Sequence, residues 1–542
     1  MTCMVGEADG VGSTVGENIG PVARFAVTVS CRRTGASGAA DAVSLRTMYP
    51  SRLVREFAGR SRRAVREHWL FAMIAVCGAA LRVVVQLAYQ QALIFPDSER
   101  YLQYAHNFLS GQWSPDWLRT SGYSILLMPA VLAHNLSVVV AIQHLLGLAT
   151  AVLIYATLIH FGARRWVAAL ATIPVLFDPL QLDLEQYILT DVCATFLVFL
   201  ALVVLVWKRE ALGKGAALTA GLLVAAATII RESDLLVMIP ALLYVVAVIR
   251  PWRRCARLAG MALLGCAIPV LGYLSWFAVW FGTFNFVTYT NQFTYGRIVQ
   301  FADCTGLSLP AYERSLCPSQ PPPQRNLDWY MWAPQSPQVL LQPTAGLSKG
   351  EIIHDFNTRI LEHQPLSYLE AVGGDILYSF SPVRGDGPER YPKGYHDFHT
   401  YFPSGKGELA TLRQYTGSTG RVQPALAGFL TGYGHDFYVP GPLLAAGLVL
   451  GLAGTAGLGR ARRSRLRGPC LLFSLGTIAM VVPPFIIATF DWRYELPQFY
   501  LIPIAAVLGV RAMTARDRDT SPPAPSAGPA PSEQEEPVHP AV

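Results

Sequence analysis

The feature that most limits how this chain can fold is a series of apolar runs, each close to the length that a bilayer's hydrocarbon core requires. The first covers residues 68 to 88. Later ones lie near 138 to 160, 166 to 180, 187 to 207, 215 to 231, 234 to 249, 256 to 281, 437 to 458, 468 to 490 and 496 to 511. A helix of roughly 20 apolar residues crosses the hydrocarbon layer with its backbone groups satisfied internally, a need that a soluble fold does not have. With only 15% charged residues among 542, the chain also lacks the polar side chains to solvate a soluble surface. The sequence therefore predicts an all-α polytopic membrane protein with about ten transmembrane helices in a lipid bilayer.

Charge sorts the connections into two classes. One is basic: Arg164 and Arg165, the group Lys208, Arg209 and Lys214, the arginines from Arg250 to Arg257, and those from Arg460 to Arg467, together with the flank from Arg52 to Arg66. The positive-inside rule places this class in the cytoplasm, so the net charge of +7 reads as orientation in the membrane and not as nucleic-acid binding. The other class carries acids and aromatics: Asp97 to Arg119, Asp178 to Tyr187, Arg231 to Asp234, Gly282 to Asp436 and Asp491 to Glu495. The pattern is coherent if the short run 121 to 135, interrupted by Pro129, is an interfacial or re-entrant helix. Both termini are then inside and the second class is extracytoplasmic.

Five segments follow. Residues 1–50 are predicted disordered, and Met48, just ahead of the basic flank, offers an alternative start. Residues 51–281 form an N-terminal transmembrane module whose first outer loop, 89–136, carries interfacial helices. Residues 282–436, between spans seven and eight, are too long for a connector and predict a mixed extracytoplasmic subdomain. Within it Ser348-Lys-Gly-Glu351 is a capping box opening a helix to about His363, and Leu366, Leu369, Val372, Ile376, Leu377 and Phe380 mark an amphipathic helix against the bilayer. Residues 437–511 hold the last helices, and 512–542 a disordered cytoplasmic tail. No cysteine pair has metal-ligand spacing; Cys304 and Cys317 share the outer segment and are the candidates for a disulfide.

Asp97, Glu99, Arg119, Asp183, Glu185, Asp191, Arg231, Asp234, Asp491, Arg493 and Glu495 all approach the outer face in this topology. Ionisable groups at membrane depth are costly and either pair or serve a site. Transfer of a sugar from a lipid-linked phosphate would use both kinds of residue. A carboxylate takes the acceptor's hydroxyl proton, and cations neutralise the departing phosphate. Asp97 suits the base and Arg231 and Arg493 the phosphate, with a divalent metal held by carboxylates a further candidate for the second task. Arg119 reads equally as a phosphate contact or a helix anchor, and Arg231 has a rival internal ion pair with Glu232 or Asp234. Tyr101 and Tyr104, four and seven residues after Asp97, share its helix face and could pack on a sugar ring or belong to an interfacial belt. Glu99 points away from that face. Glu185 and Asp191 compete for a second acidic position. His354, His363, His396, His399 and His435 read as surface histidines, with His396-Asp397-Phe398-His399 a weak metal candidate.

This arrangement resembles the C-type membrane glycosyltransferases that use polyprenyl-phosphate sugars, in particular the protein mannosyltransferases and the lipid A aminoarabinose transferases. The resemblance is carried by Pro96-Asp97-Ser98-Glu99-Arg100-Tyr101 with Ala105 and Gly111 downstream, by Arg119-Thr-Ser-Gly122-Tyr123, and by Leu189-Thr190-Asp191. Gly221 to Arg231, and Asp491-Trp492-Arg493-Tyr494 with Pro497, complete it. It implies that Asp97 is the catalytic or metal-proximal acid of the first outer loop. Where many relatives have two adjacent acids, this chain has Asp97-Ser98-Glu99. The function so implied is transfer of a sugar from a polyprenyl-phosphate donor to a glycan, lipid or protein acceptor on the outer face of the plasma membrane. The absence of a Walker loop and of GxGxxG is consistent with such a donor. Alternative readings are a polysaccharide polymerase or ligase using a pyrophosphate-linked oligosaccharide, and a lipid-sugar flippase or transporter.

Overall fold

The computed structural model describes residues 67–344, 346–386, 393–403 and 405–514. The expectations for residues 1–50, the basic flank up to Arg66 and the tail from residue 515 lie outside them. Among the described residues the secondary structure is helical without a strand, apart from three isolated bridges, Tyr89 with Val422, Leu93 with Tyr187 and Thr344 with Leu347.

Each apolar run of the sequence contains helix, and five to seven of these helices are candidate spans by length and composition. Five helices are long and apolar enough to cross a bilayer: Trp69–Ala88, Ser137–His160, Trp252–Phe281, Arg467–Ile487 and Trp492–Thr514. Two bent pairs, Arg165–Phe177 with Pro179–Gln186 and Pro424–Asp436 with Gly441–Ala456, raise the number to seven if each is one broken span. The bends have a local cause in Pro179, which starts the second helix of the first pair, and in Pro440 and Pro442 at the start of Gly441–Ala456. The remaining difference lies in Asp191–Trp207 and Lys214–Ile230, of 17 residues each, and Met238–Val248, of 11. At about 1.5 Å per residue, 17 residues fall a little short of a hydrocarbon layer about 30 Å thick. Residues 512–514, assigned above to the tail, continue the last helix. Exposed Val76, Val83, Ile142, Leu145 and Ile268 give these helices the apolar outer surface that lipid requires.

Glycine sets the closest approach in the first module. A Cβ on Gly221 would lie 2.0 Å from the Ala262 carbonyl oxygen, and one on Gly265 would lie 2.4 Å from that of Leu218. The helices Lys214–Ile230 and Trp252–Phe281 therefore touch backbone to backbone, as small residues permit in membranes.

The loop 89–136 contains two helices. Pro96 opens the helix Pro96–Leu109, and Ser98 Oγ both accepts from the Phe95 N–H at 2.9 Å and donates to the Ile188 carbonyl at 2.8 Å. Leu93 N–H donates to Gln186 O and Ile188 N–H to Leu93 O, so this helix start is fixed beside the segment that leads to Asp191. The short run 121 to 135 is the helix Gly122–Leu132, of 11 residues. Its Gly122 would place a Cβ 2.6 Å from the Ile229 carbonyl oxygen, and Thr120 Oγ1 donates to the Ile230 carbonyl at 2.7 Å. Arg119 is thereby held next to Arg231.

The outer segment 282–436 is helical and irregular over its described residues, and not mixed with strands. Thr290–Ile298 and Lys349–His363 pack a small core of Tyr295, Ile298, Ile352, Phe356 and Ile360, separate from that of the membrane helices. The capping box at Ser348 and Glu351 is formed, and a Cys304–Cys317 disulfide closes the neighbouring loop with Cα atoms 6.1 Å apart. The helix Pro365–Tyr378 exposes Leu366, Leu369 and Leu377 along one side, as its pattern predicts.

Replacing Gly221 with valine should force two helix backbones apart, with overpacking costs of about 1–3 kcal/mol or more. Thermal unfolding of the purified protein in detergent should show a lowered midpoint for Gly221→Val and little change for Gly215→Val, whose Cβ would meet open space. Equal midpoints for the two variants would contradict the close packing.

Candidate functional site

A cavity of about 710 Å³ opens where the first outer loop, the start of Asp191–Trp207, the end of Lys214–Ile230 and the segment before the last span converge. Asp97, Arg119, Asp191, Arg231, Asp491 and Arg493 all contribute to its wall. They come from positions spread over almost 400 residues of sequence, and each is delivered by a helix boundary. Asp97 lies in the first turn after Phe95 and Pro96, and Asp191 is the first residue of its helix, where the backbone dipole favours a negative charge. Arg231 follows the last residue of Lys214–Ile230 in extended conformation. Arg493 is placed by Asp491, whose side chain accepts from the Arg493 N–H at 3.2 Å.

The charged groups form a continuous chain. Asp97 Oδ1 accepts from Arg119 Nη2 at 2.7 Å and Nε at 3.2 Å, while Oδ2 accepts from Arg493 Nη1 at 3.2 Å. Arg493 Nη1 is also 4.0 Å from Asp191 Oδ2, and its Nε is 2.9 Å from Asp491 Oδ2. Asp191 Oδ1 accepts from Arg231 Nη1 at 3.2 Å, and the buried Asp234 stands 3.9 Å behind Arg231. The Asp97 and Arg493 side chains are each 13% exposed and Asp191 only 2%, so these pairs are weakly screened by solvent. Burial alone would raise the Asp97 carboxyl, but the Arg119 and Arg493 guanidiniums outweigh it and hold the group below the usual carboxylate range. For Arg119, burial favours the neutral form, yet Asp97 keeps it firmly charged.

Much of the remaining wall is apolar. Leu235, Leu236, Phe286, Pro483, Pro484 and Ile487 line it, and Phe293 places its ring 5.1 Å below the Arg119 guanidinium. Leu236 and Ile487 are also 42% and 38% exposed, so the apolar lining of the cavity continues into the outer surface of the helices.

The sequence candidates separate into three groups. Asp97, Arg119, Asp191, Arg231, Arg493 and Tyr101 line the cavity. Tyr101 is only 5% exposed, and its ring meets that of Tyr123 in a perpendicular arrangement with centroids 5.3 Å apart. Tyr104 is not in the wall; the Arg100 guanidinium lies 5.7 Å from its ring centre, and Arg100 is held by Asp116. Glu99 faces Glu408 and Thr411, away from Asp97.

Glu185 takes a different place from the second acidic position considered for it. It is fully buried among the helices, accepting from Arg82 Nη2 at 2.7 Å and from Gln181 Nε2 at 2.7 Å, with His144 Nδ1 also 2.7 Å away. It balances a buried arginine of the first span and does not reach the cavity.

Two residues had no local signal. His396, expected at the surface, is buried with its side chain 1% exposed and its Nε2 2.7 Å from Asp491 Oδ1. The Asp491 carboxyl, which burial alone would raise, is held down to about 2 by His396 and Arg493. Arg384 of the outer segment makes a bidentate pair with Asp178 at 2.8 and 2.9 Å and lies 3.7 Å from Glu495. Asp178 also accepts from the Val439 N–H at 2.9 Å, so one carboxylate binds both ends of the segment from 384 to 439 to the membrane helices.

For a divalent metal the residues present do not fit. Among the described residues no group of three or more His, Cys, Asp or Glu has the geometry to hold an ion. The cavity carboxylates face three guanidiniums, which oppose a further cation.

No protein-family model and no curated protein matches the chain. Two solved structures are similar to it. One is the S. cerevisiae protein O-mannosyltransferase Pmt1-Pmt2 complex bound to the sugar donor, with 18% identity over 45% of this chain and 37% of that one, at a TM-score of 0.32. The other is the archaeal oligosaccharyltransferase AglB from Archaeoglobus fulgidus in complex with an inhibitory peptide and a dolichol-phosphate, with 11% identity over 82% of this chain and 50% of that one, at a TM-score of 0.39. The chain thus spans half or less of the length of each.

The placement of the two competing acids gives a direct test. Glu185→Ala leaves Arg82 buried without a carboxylate partner and should cost about 3–5 kcal/mol, read as a lowered thermal midpoint and lost monodisperse yield. Asp191→Asn, isosteric and at the cavity wall, should cost clearly less. The reverse order would contradict the assignment of Glu185 to the helix core.

Proposed function

We propose that the chain transfers a sugar from a polyprenyl-phosphate donor to an acceptor hydroxyl at this cavity, on the extracytoplasmic face of the plasma membrane. The observation that carries the reading is the cavity's mixed lining, with paired arginines and carboxylates beside apolar side chains. Arg119 and Arg493 pair with Asp97, Arg231 lines the same cavity, and the apolar lining reaches the helix surface at Leu236 and Ile487. A lipid-linked phosphodiester has the same division, with an anionic head and an apolar tail. The acceptor is a glycan, lipid or protein of the cell envelope.

In the unliganded arrangement Asp97 is a weak base, because two guanidiniums donate to it. A donor phosphate would compete for those N–H groups. As Arg119 and Arg493 turn to the phosphate oxygens, the Asp97 carboxylate regains basicity and can accept the proton of the acceptor hydroxyl. The acceptor oxygen attacks the anomeric carbon from the face opposite the phosphate, and the bond from that carbon to the phosphate oxygen breaks. The electron pair leaves with the phosphate, whose charge the arginines stabilise. The product carries the inverted configuration and the proton rests on Asp97. Arg231, braced by Asp191 and Asp234, supplies a further positive charge to the leaving group. No step is routed through a metal ion.

Cells lacking the chain should lose one envelope glycan linkage and accumulate its lipid-linked donor. Asp97→Asn, expressed at the wild-type level, should lower transfer by about 10²-fold or more without weakening binding of the lipid phosphate, since it releases both arginines. Full restoration of the linkage by Asp97→Asn would remove Asp97 from the role of base.

A further inference from the structure

His396 touches neither the cavity nor any atom that the transfer needs, yet it belongs to the same chain of charges. Its ring stacks on Phe95 with centroids 5.9 Å apart, and the Arg493 guanidinium sits over that same Phe95 ring at 5.2 Å. Nε2 is 2.7 Å from Asp491 Oδ1, and Nδ1, which has no hydrogen-bond partner, is 3.9 Å from Asp183 Oδ2. The charged groups around it are therefore Asp491 and Arg493 from the segment before the last span and Asp183 from the Pro179–Gln186 helix. On its own segment, Lys393 and Asp397 pair with each other at 3.1 Å.

Asp491 is shared between two cations. One oxygen meets His396, and the other lies 2.9 Å from Arg493 Nε. A charged imidazole takes up part of the Asp491 charge; a neutral one leaves that charge to Arg493. Asp97 and Asp191 already compete for the same guanidinium at 3.2 and 4.0 Å.

We propose that His396 is a positioning residue whose charged form offsets Asp491, and so leaves Arg493 available to an anionic phosphodiester in the cavity. This rests on the reading of the cavity as a lipid-phosphate site. It makes the outer segment a determinant of donor affinity, because His396 can act only while residues 393–403 remain seated. Burial alone would lower the imidazole, but Asp491 and Asp183 outweigh it and hold the group above its ordinary value of 6.5. The charged form therefore persists below that raised value and is lost as pH rises through it. Affinity for the anion falls in the same direction.

The test is equilibrium binding of methyl undecaprenyl phosphate, a diester whose single charge does not titrate in this range, to the purified full-length chain from about pH 6 to about pH 9. Wild type should lose roughly tenfold in affinity toward the alkaline end, the equivalent of about one pKa unit of coupling. Asp234→Asn, which removes a buried carboxyl behind Arg231, should keep that loss. His396→Gln should bind weakly at every pH, near the wild-type alkaline level. A flat profile in Asp234→Asn overturns the proposal even if His396→Gln does not fold, and so does an undiminished pH dependence in His396→Gln. Binding that Arg493→Ala abolishes but that pH leaves unchanged overturns this inference alone. If wild type binds the diester at no pH, the lipid-phosphate reading fails and this inference with it.

Discussion

Arg493 is the residue on which the site depends. Its guanidinium reaches Asp97 from the first outer loop, Asp191 from the start of an internal helix and Asp491 from its own turn, and through Asp491 it is connected to His396 of the outer segment. A single cation thus ties together elements that are far apart in sequence. In a setting of low dielectric, no member of such a chain can be removed without leaving a neighbour's charge uncompensated.

The same chain explains why so many ionisable groups are tolerated beside membrane helices. Each arginine of the cavity has a carboxylate partner, so the unliganded protein buries pairs and not isolated charges. An anionic ligand does not create a positive site from nothing; it displaces carboxylates that already occupy one. On the proposed function, that exchange would both bind the donor and restore the basicity of Asp97. Remote pairs have a different role. Arg82 with Glu185 and Arg384 with Asp178 fix helices and the outer segment in place, and neither pair reaches the cavity.

How much of this was legible in the chain depends on the range of the interaction concerned. Pro96 marked the start of the helix that carries Asp97, because helix starts are decided within a few residues. The Ser348 and Glu351 capping box was visible for the same reason. The runs at Asp191–Trp207, Lys214–Ile230 and Met238–Val248 are apolar but their helices are shorter than the sequence pattern implied. Composition reports burial in an apolar medium and does not separate lipid from a protein interior.

The sequence by itself determined the all-helical membrane architecture, the helix boundaries where charge meets apolar run, and the set of acids and arginines at one end of the bundle. These follow from hydropathy and charge, which act locally. Only the tertiary structure decided which of those groups meet. It turned Asp191 into the cavity wall and Glu185 toward Arg82, although they are six residues apart in one outer connection. It also buried His396 against Asp491, 95 residues away. Ion pairing at about 3 Å depends on how helices pack, and no spacing rule along the chain encodes that.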